Sequence, residues 1–82
     1  MNKIKLLFFA TLRDRAGTKA MELEISDDLT IQGLKDKLAV DFPSLAQSMS
    51  SVLVTINREY AFDEAVVPQN AEIALFPPVS GG

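Results

Sequence analysis

The sequence predicts an α+β domain in which a mixed sheet of four to five strands carries one main helix packed on one face. Two early segments alternate apolar and polar residues, as half-buried strands do. Apolar residues at helical spacing then follow Thr30 and stop before Pro43. Two further apolar segments come after the helix, and the last of them ends at Pro77-Pro78, where neither residue can donate to a sheet.

The first predicted strand runs from Lys3 to Thr11 and the second from Ala20 to Ser26. Alternation along the first strand points three side chains into the core, namely Ile4, Leu6 and Phe8. The same parity points two side chains towards solvent, namely Leu7 and Phe9. The polar residues 13–19, which include Gly17, form the expected turn, so that the two strands make a hairpin.

The main helix is expected to begin after Thr30, a favourable N-cap, and to run to Asp41. Its apolar stripe faces the sheet and consists of Ile31, Leu34, Leu38 and Phe42. The charged residues 35–37 occupy its solvent side. Pro43 ends the helix because a residue that precedes proline avoids the helical region. Residues 44–51 form a connector with one helical turn.

The later strands are expected at residues 52–57, near residues 60–62 after a turn at Arg58-Glu59, and at residues 71–76. A loop at residues 63–70 contains Pro68. Because the helix crosses one sheet face, the first and last strands can pair in parallel. This order of elements predicts the ubiquitin-like β-grasp fold, with a domain at residues 1–76 and an extended tail at residues 77–82.

The predicted sheet leaves an apolar patch on its open face. Parallel pairing of the outer strands places four side chains there, Leu7, Phe9, Ala74 and Phe76, and Leu53 joins them if Thr55 also points outward. Exposed apolar patches of this kind mark interaction sites. Beyond the patch, Pro77-Pro78 stiffen the stem of a tail that reaches about 20 Å. Gly81-Gly82 then present a carboxylate on a backbone narrow enough to enter a channel.

Composition excludes several functions. The net charge is −3 and no basic run exists, so neither nucleic acid nor an anionic membrane is an expected partner. The sequence has no cysteine and no histidine, which removes thiolate metal sites, cysteine nucleophiles and the usual general base at neutral pH. No metal site is therefore expected. The apolar run near Met1 is short and lacks a cleavage site, so a cytoplasmic location is expected.

Three segments resemble the small, sulfur-carrier subunit of molybdopterin synthase, the MoaD type. They are Leu7 to Arg13, Ile56 to Glu59 and Ala74 to Gly82, and the resemblance extends over the whole chain. One departure precedes the last strand, where a Gly-Asp pair is frequent in the family and this chain has Asn70-Ala71. Asn tolerates the left-handed conformation, so we expect a turn at Asn70 without loss of activity.

The resemblance implies a cycle of reactions at the chain terminus. An E1-like activating enzyme uses ATP and magnesium to adenylate the Gly82 carboxylate, and a sulfur donor protein converts the adenylate to a thiocarboxylate. The large subunit of molybdopterin synthase then accepts the tail and uses the sulfur to convert cyclic pyranopterin monophosphate. This chain would bind no cofactor of its own and would be a non-catalytic subunit of a heterotetramer.

The resemblance also implies roles for individual residues. Gly82 carries the sulfur and Gly81 gives access to the channel. The residues expected to contact partners are Leu7, Phe9, Phe76, Pro77, Pro78 and Val79. Arg13 and Arg58 could also contact a partner, although each is interpreted first as a solvated side chain.

Three other functions share some of these features. A sulfur carrier for thiamin synthesis would have the same fold and tail, although the Phe76-Pro77-Pro78-Val79 stem favours molybdopterin synthesis. A ubiquitin-like protein modifier would use Gly82 to form covalent adducts with lysines. A plain binding module would be unaffected by deletion of Gly82.

Overall fold

The computed structural model describes residues 2–78 and confirms the α+β architecture. The strands are β1 (Asn2–Phe8), β2 (Ala20–Ile25), β3 (Leu53–Ile56), β4 (Glu59–Tyr60) and β5 (Glu72–Phe76). The helices are α1 (Thr11–Ala16) and α2 (Ile31–Asp41), and two short 3₁₀ turns follow at Pro43–Leu45 and Ser48–Ser50. The division into a domain of residues 1–76 and a tail of residues 77–82 stays a prediction, because residues 79–82 lie outside the described part.

The five strands form one mixed sheet in the order β2-β1-β5-β3-β4. β1 and β5 are parallel neighbours at its centre, and the other pairs are antiparallel. The predicted parallel pairing is therefore confirmed, and with it the β-grasp order of elements. Because β1 and β5 run in the same direction, their carboxyl ends lie at the same edge of the sheet.

The helix α2 covers one face of this sheet, as its sequence pattern predicts. Its N-cap is Thr30, whose side-chain oxygen accepts a 3.2 Å hydrogen bond from the Gly33 N–H. The helix ends at Asp41, two residues before Pro43. The core between helix and sheet contains the predicted inward residues of both elements, among them Ile4, Leu6, Phe8, Ile31, Leu34, Leu38, Ile73 and Leu75.

The prediction for residues 9–19 is wrong. β1 ends at Phe8 instead of Thr11, and the expected turn is largely the helix α1. Leu12 is buried beneath this helix, while its polar residues form the exposed side. Gly17 ends α1 in the left-handed conformation with a φ of 78°. A helix of six residues has little intrinsic stability, so burial of Leu12 stabilises what local sequence does not indicate.

The hairpin between β3 and β4 is shifted by one residue from its prediction. The residues with positive φ are Asn57 (50°) and Arg58 (74°), so the turn lies there and not at Arg58-Glu59. Two successive positive φ values are typical of a type I′ turn, whose twist suits a tight hairpin. β4 consequently begins at Glu59 and ends at Tyr60, before the predicted strand at residues 60–62 has finished.

Two smaller expectations also need correction. Lys35 does not lie on the solvent side of α2, because its ammonium group contacts the Asp63 carboxylate at 2.6 Å and only 12% of its side chain is exposed. The connector contains two 3₁₀ turns instead of one helical turn, and these bury Leu45 and Met49. By contrast, the expected left-handed turn at Asn70 is confirmed by its φ of 57°.

Candidate functional site

The candidate site lies on the open face of the sheet, at the edge where β1 and β5 both end. The parallel register pairs Leu7 with Ala74 and Phe8 with Leu75. One residue later the Phe9 N–H donates a 3.2 Å hydrogen bond to the Leu75 carbonyl. The pairing therefore continues to the end of β1 and brings Phe9 beside Phe76.

The rings of Phe9 and Phe76 stack on each other. Their centroids are 4.6 Å apart and their planes differ by 9°. Such a contact stabilises by about 0.5–1.5 kcal/mol beyond the burial of the rings. Phe9 remains 40% exposed and Phe76 is half-buried. The stack thus orders two aromatic side chains while one of them stays largely accessible.

Two aliphatic side chains extend this surface. Leu53 pairs with Phe76 across β3 and is 37% exposed, and Leu7 is half-buried in β1. We call Leu7, Phe9, Leu53 and Phe76 the aromatic patch. Thr55 and Ala74 pair with each other on the same open face, as the prediction required, yet both are buried by their neighbours. Ala74 was expected to be exposed beside these side chains. Because Ala74 is buried, it is not part of the aromatic patch, which lies at the edge of the sheet.

A strained turn directly follows Phe9. Ala10 has a φ of 53° and a ψ of −128°, a conformation that glycine adopts far more readily than alanine. The Leu12 N–H donates a 3.1 Å hydrogen bond to the Phe9 carbonyl and closes this turn. Because buried Leu12 anchors the turn from below, the backbone of Phe9 is held on both sides.

The tail leaves the sheet from the patch itself. Pro77 is half-buried and Pro78 is exposed directly after Phe76, the last residue of β5. Each proline restricts its own φ, and Pro77 keeps Phe76 extended. The predicted tail residues Val79, Gly81 and Gly82 lie outside the described residues.

The opposite end of β5 is held by two asparagine side chains that sequence analysis missed. The Asn2 amide donates to the carbonyls of Val67 (3.3 Å) and Pro68 (2.8 Å), and its oxygen accepts from the Asn70 N–H (3.0 Å). The Asn57 oxygen accepts a 2.9 Å bond from the Glu72 N–H. The parity of β1 could have identified Asn2, which occupies the same inward series as Ile4, and it is only 2% exposed.

The described residues provide an exposed apolar surface beside the point where the chain leaves the sheet. Within residues 2–78 no three Asp or Glu side chains converge as metal ligands would, and the sequence has neither His nor Cys. No helix in that same range is both long and apolar enough to cross a membrane. The two arginines of interest are exposed, Arg13 near the patch on α1 and Arg58 at the other end of the sheet.

Sequence comparisons extend over nearly the whole chain. Residues 6–82 match the ThiS family model. The molybdopterin synthase sulfur carrier subunit of Arabidopsis thaliana is 39% identical over 80 residues, which cover 98% of this chain and 83% of that protein. The range matched by the family model therefore spans the aromatic patch and the glycine pair at residues 81–82.

Solved structures have the same fold. SAMP1 of Haloferax volcanii, a small archaeal modifier protein, is 28% identical with a TM-score of 0.84, and the match covers 99% of this chain and 100% of that one. A chain in the complex of subunits 1 and 2 of the molybdopterin-converting factor from Helicobacter pylori has a TM-score of 0.69 at 17% identity. That match covers 99% of this chain and 98% of the other. Both likenesses include the ubiquitin-like sheet and its helix.

Proposed function

We propose that this chain, which belongs to the ThiS family and to the molybdopterin synthase sulfur carrier subunits within it, carries sulfur for molybdenum cofactor biosynthesis. The observation that carries this proposal is the 39% identity with the Arabidopsis thaliana sulfur carrier subunit over 98% of the chain. The position of the aromatic patch at the base of the tail supports it. A partner that covers the patch would meet the tail at the point where it leaves the sheet.

The reacting group in this proposal is the carboxylate of Gly82. A carboxylate is a poor acyl donor, so an E1-like enzyme would first join it to AMP with release of pyrophosphate from ATP, aided by magnesium. A sulfur donor protein that carries a persulfide would then displace AMP to form an acyl disulfide, and a thiol would reduce the S–S bond to leave a thiocarboxylate at Gly82. Sulfur suits the next step because it is a soft nucleophile and the thiocarboxylate is anionic at neutral pH.

The partner that uses this sulfur would be the large subunit of molybdopterin synthase. It would receive the tail in its active site, where the thiocarboxylate sulfur attacks a carbon of cyclic pyranopterin monophosphate to form a thioester. Water would then hydrolyse the thioester, which leaves the sulfur on the pterin and returns the Gly82 carboxylate. Two such transfers would make the dithiolene of molybdopterin, and two carriers with two large subunits would form the heterotetramer. The acidic and basic groups for this chemistry would come from the large subunit, since this chain has neither His nor Cys.

The aromatic patch would be the docking surface in each complex. Aromatic side chains dominate the energetics of many interfaces because they bury large areas with few rotatable bonds. The stack of Phe9 on Phe76, held by the turn at Ala10, presents these rings in one arrangement before binding. Pre-ordering of this kind lowers the entropic cost of association.

A direct test uses two forms of the chain that differ by one atom. One form has a thiocarboxylate at Gly82 and the other has the ordinary carboxylate. Mixed with the purified large subunit and cyclic pyranopterin monophosphate, without ATP, the thiocarboxylate form should yield molybdopterin and the carboxylate form should yield none. Equal product from both forms, or product from neither, would contradict the proposal.

A second candidate function is protein modification, which the likeness to the archaeal modifier SAMP1 favours. In that case the adenylated Gly82 would react with lysine amines of target proteins instead of with sulfur. An epitope-tagged chain expressed in its native cells would then appear in conjugates of higher mass that depend on Gly82. A sulfur carrier without this activity would appear only at its own mass.

A further inference from the structure

A shallow groove lies beside the aromatic patch on the same edge of the sheet. Its volume is about 320 Å³. The sheet contributes Lys5, Leu7 and Ala20, α1 contributes Arg13, and the residues before and after α1 contribute Phe9, Ala10 and Lys19. Three cationic side chains thus surround an apolar floor. We call this feature the basic groove.

The cations of the basic groove differ from the other lysines of the chain. Lys3, Lys35 and Lys37 form salt bridges with Glu22, Asp63 and Asp41, respectively. Across residues 2–78, none of the cations of the groove forms a salt bridge. All three are exposed.

Nearby acidic residues offset only part of this charge. Lys5 lies in register between Glu22 of β2 and Glu72 of β5, so its field is largely balanced by two carboxylates. Arg13 has one acidic neighbour on its own helix, Asp14. The positive potential of the groove therefore comes mainly from Arg13 and Lys19, in a protein whose net charge is −3.

We propose that the basic groove binds an acidic, partly apolar segment of the large subunit while that subunit holds the tail. This inference rests on the proposed function, because it names a second contact of the same partner. The groove shares Leu7 and Phe9 with the aromatic patch, so a protein that covers the patch also covers the groove. Carboxylates of the partner would meet Arg13 and Lys19, and its apolar side chains would cover Leu7 and Ala20.

The shape of the groove favours a protein segment over a small anion. Sites for phosphate groups are usually built from converging backbone N–H groups or buried side chains, whereas the cations here are exposed and long. Exposed charges at the border of an interface contribute mainly to association rate and specificity. The basic groove should accordingly guide the carrier onto its partner and act mainly through the association rate, with little effect on dissociation.

The test is the rate of association with the purified large subunit at low and at physiological salt. The double variant Arg13→Glu, Lys19→Glu should associate at least tenfold more slowly at low salt, and the difference should shrink as salt screens the charges. Dissociation should change much less. The matched control is a variant with a charge reversal on α2, on the opposite side of the sheet, Lys37→Glu, which should stay within about twofold of the native rate.

A cross-link and the binding of the native chain distinguish a failure of the basic groove from a failure of the proposed function. A zero-length carbodiimide cross-link between the two purified proteins should join Lys19 to an Asp or Glu of the large subunit. Native association rates for the double variant, or the absence of this cross-link in an intact complex, would overturn the basic groove as a contact. Failure of the native chain to bind the large subunit would overturn the proposed function and this inference together.

Discussion

The two ends of β5 are held by different means. At its start, Ala71 is buried, and the side chains of Asn2 and Asn57 bind the backbone on either side of it. At its finish, Phe76 is only half-buried and stacks on the ring of Phe9, after which two prolines follow. Two asparagine side-chain oxygens thus accept backbone hydrogen bonds at one end. The other end, which pairs with Leu53 of β3, has a partly exposed aromatic stack instead.

Because of this difference, the start of β5 contributes to the stability of the fold and its finish is available for the function of the tail. Buried polar groups that lose their partners destabilise a protein strongly, so the start of β5 belongs to the folded core. At the finish, the side chain of Phe76 contributes less to the core than the fully buried Leu75 before it and leaves apolar surface for a partner. Changes at the two ends should therefore affect different measurements.

Deletion of Gly82 should abolish sulfur transfer and leave folding intact. The proposed thiocarboxylate forms at this residue, and within residues 2–78 the buried apolar side chains all lie between Ile4 and Leu75. The free energy of unfolding, measured with urea, should change by less than about 0.5 kcal/mol. Loss of the folded state on deletion would show that the tail belongs to the domain after all.

Leu75→Ala should have the largest effect on stability. Leu75 is fully buried in β5, and truncation of such a residue costs about 2–5 kcal/mol. Leu75→Met, which conserves volume, should cost less than about 1.5 kcal/mol and serves as the control. Equal losses from both substitutions in urea unfolding would indicate that burial of Leu75 is not what secures the strand.

Phe76→Ala should weaken partner binding more than folding. Truncation of an aromatic anchor typically costs about 2 kcal/mol or more of binding free energy. Its effect on unfolding should be smaller, about 1 kcal/mol, because the ring is half-buried and the stack with Phe9 is lost. Titration calorimetry with the large subunit measures the loss of binding free energy, and urea unfolding measures the loss of stability. A large loss of stability with unchanged binding would assign Phe76 to the core.

Asn2→Ala should destabilise the fold without changing partner binding. It leaves the Asn70 N–H and the carbonyls of Val67 and Pro68 without their side-chain partner, at a cost of about 1–3 kcal/mol. The adjacent exposed residue provides the control, because Lys3→Ala should change stability by less than about 0.5 kcal/mol. If the Asn2→Ala and Lys3→Ala variants unfold at the same urea concentration, the hydrogen bonds of the Asn2 side chain contribute nothing to stability.

Arg58→Gly should stabilise the fold slightly, by about 0.5–1 kcal/mol, because glycine adopts a φ of 74° without strain. Asn57→Gly occupies the same turn but loses the bond to the Glu72 N–H, so it should destabilise. Opposite signs in thermal unfolding would support this account of the turn. A loss of partner binding in Arg58→Gly would instead give Arg58 a role in docking.

Alternation and spacing were sufficient to predict most of the sheet. The inward series of β1, the helix after Thr30 and the parallel pairing of β1 with β5 all follow from simple periodicities that burial enforces. The outward parity of Phe9 and Phe76 also identified the aromatic patch. These features depend on one face of each element being apolar, and this periodicity is visible in a single sequence.

Other features depend on contacts between distant residues. α1 is stabilised by buried Leu12, and the conformation of Ala10 follows from how β1 meets α1. Neither feature is therefore evident from the local sequence. The burial of Ala74 results from its neighbours on adjacent strands. The basic groove was also not predicted, because Lys5, Arg13 and Lys19 converge only after β1, α1 and β2 have packed together.

If the tail of this chain carries sulfur to molybdopterin synthase, the sulfur should be detectable on the chain itself. The deciding experiment is the intact mass of the chain purified from its native cells, together with capture by the large subunit. The account predicts a fraction of molecules heavier by the difference between one sulfur and one oxygen atom, located at Gly82, and retention on the immobilised large subunit. An unmodified terminus, no retention and a series of heavier conjugates would contradict it and favour a protein modifier.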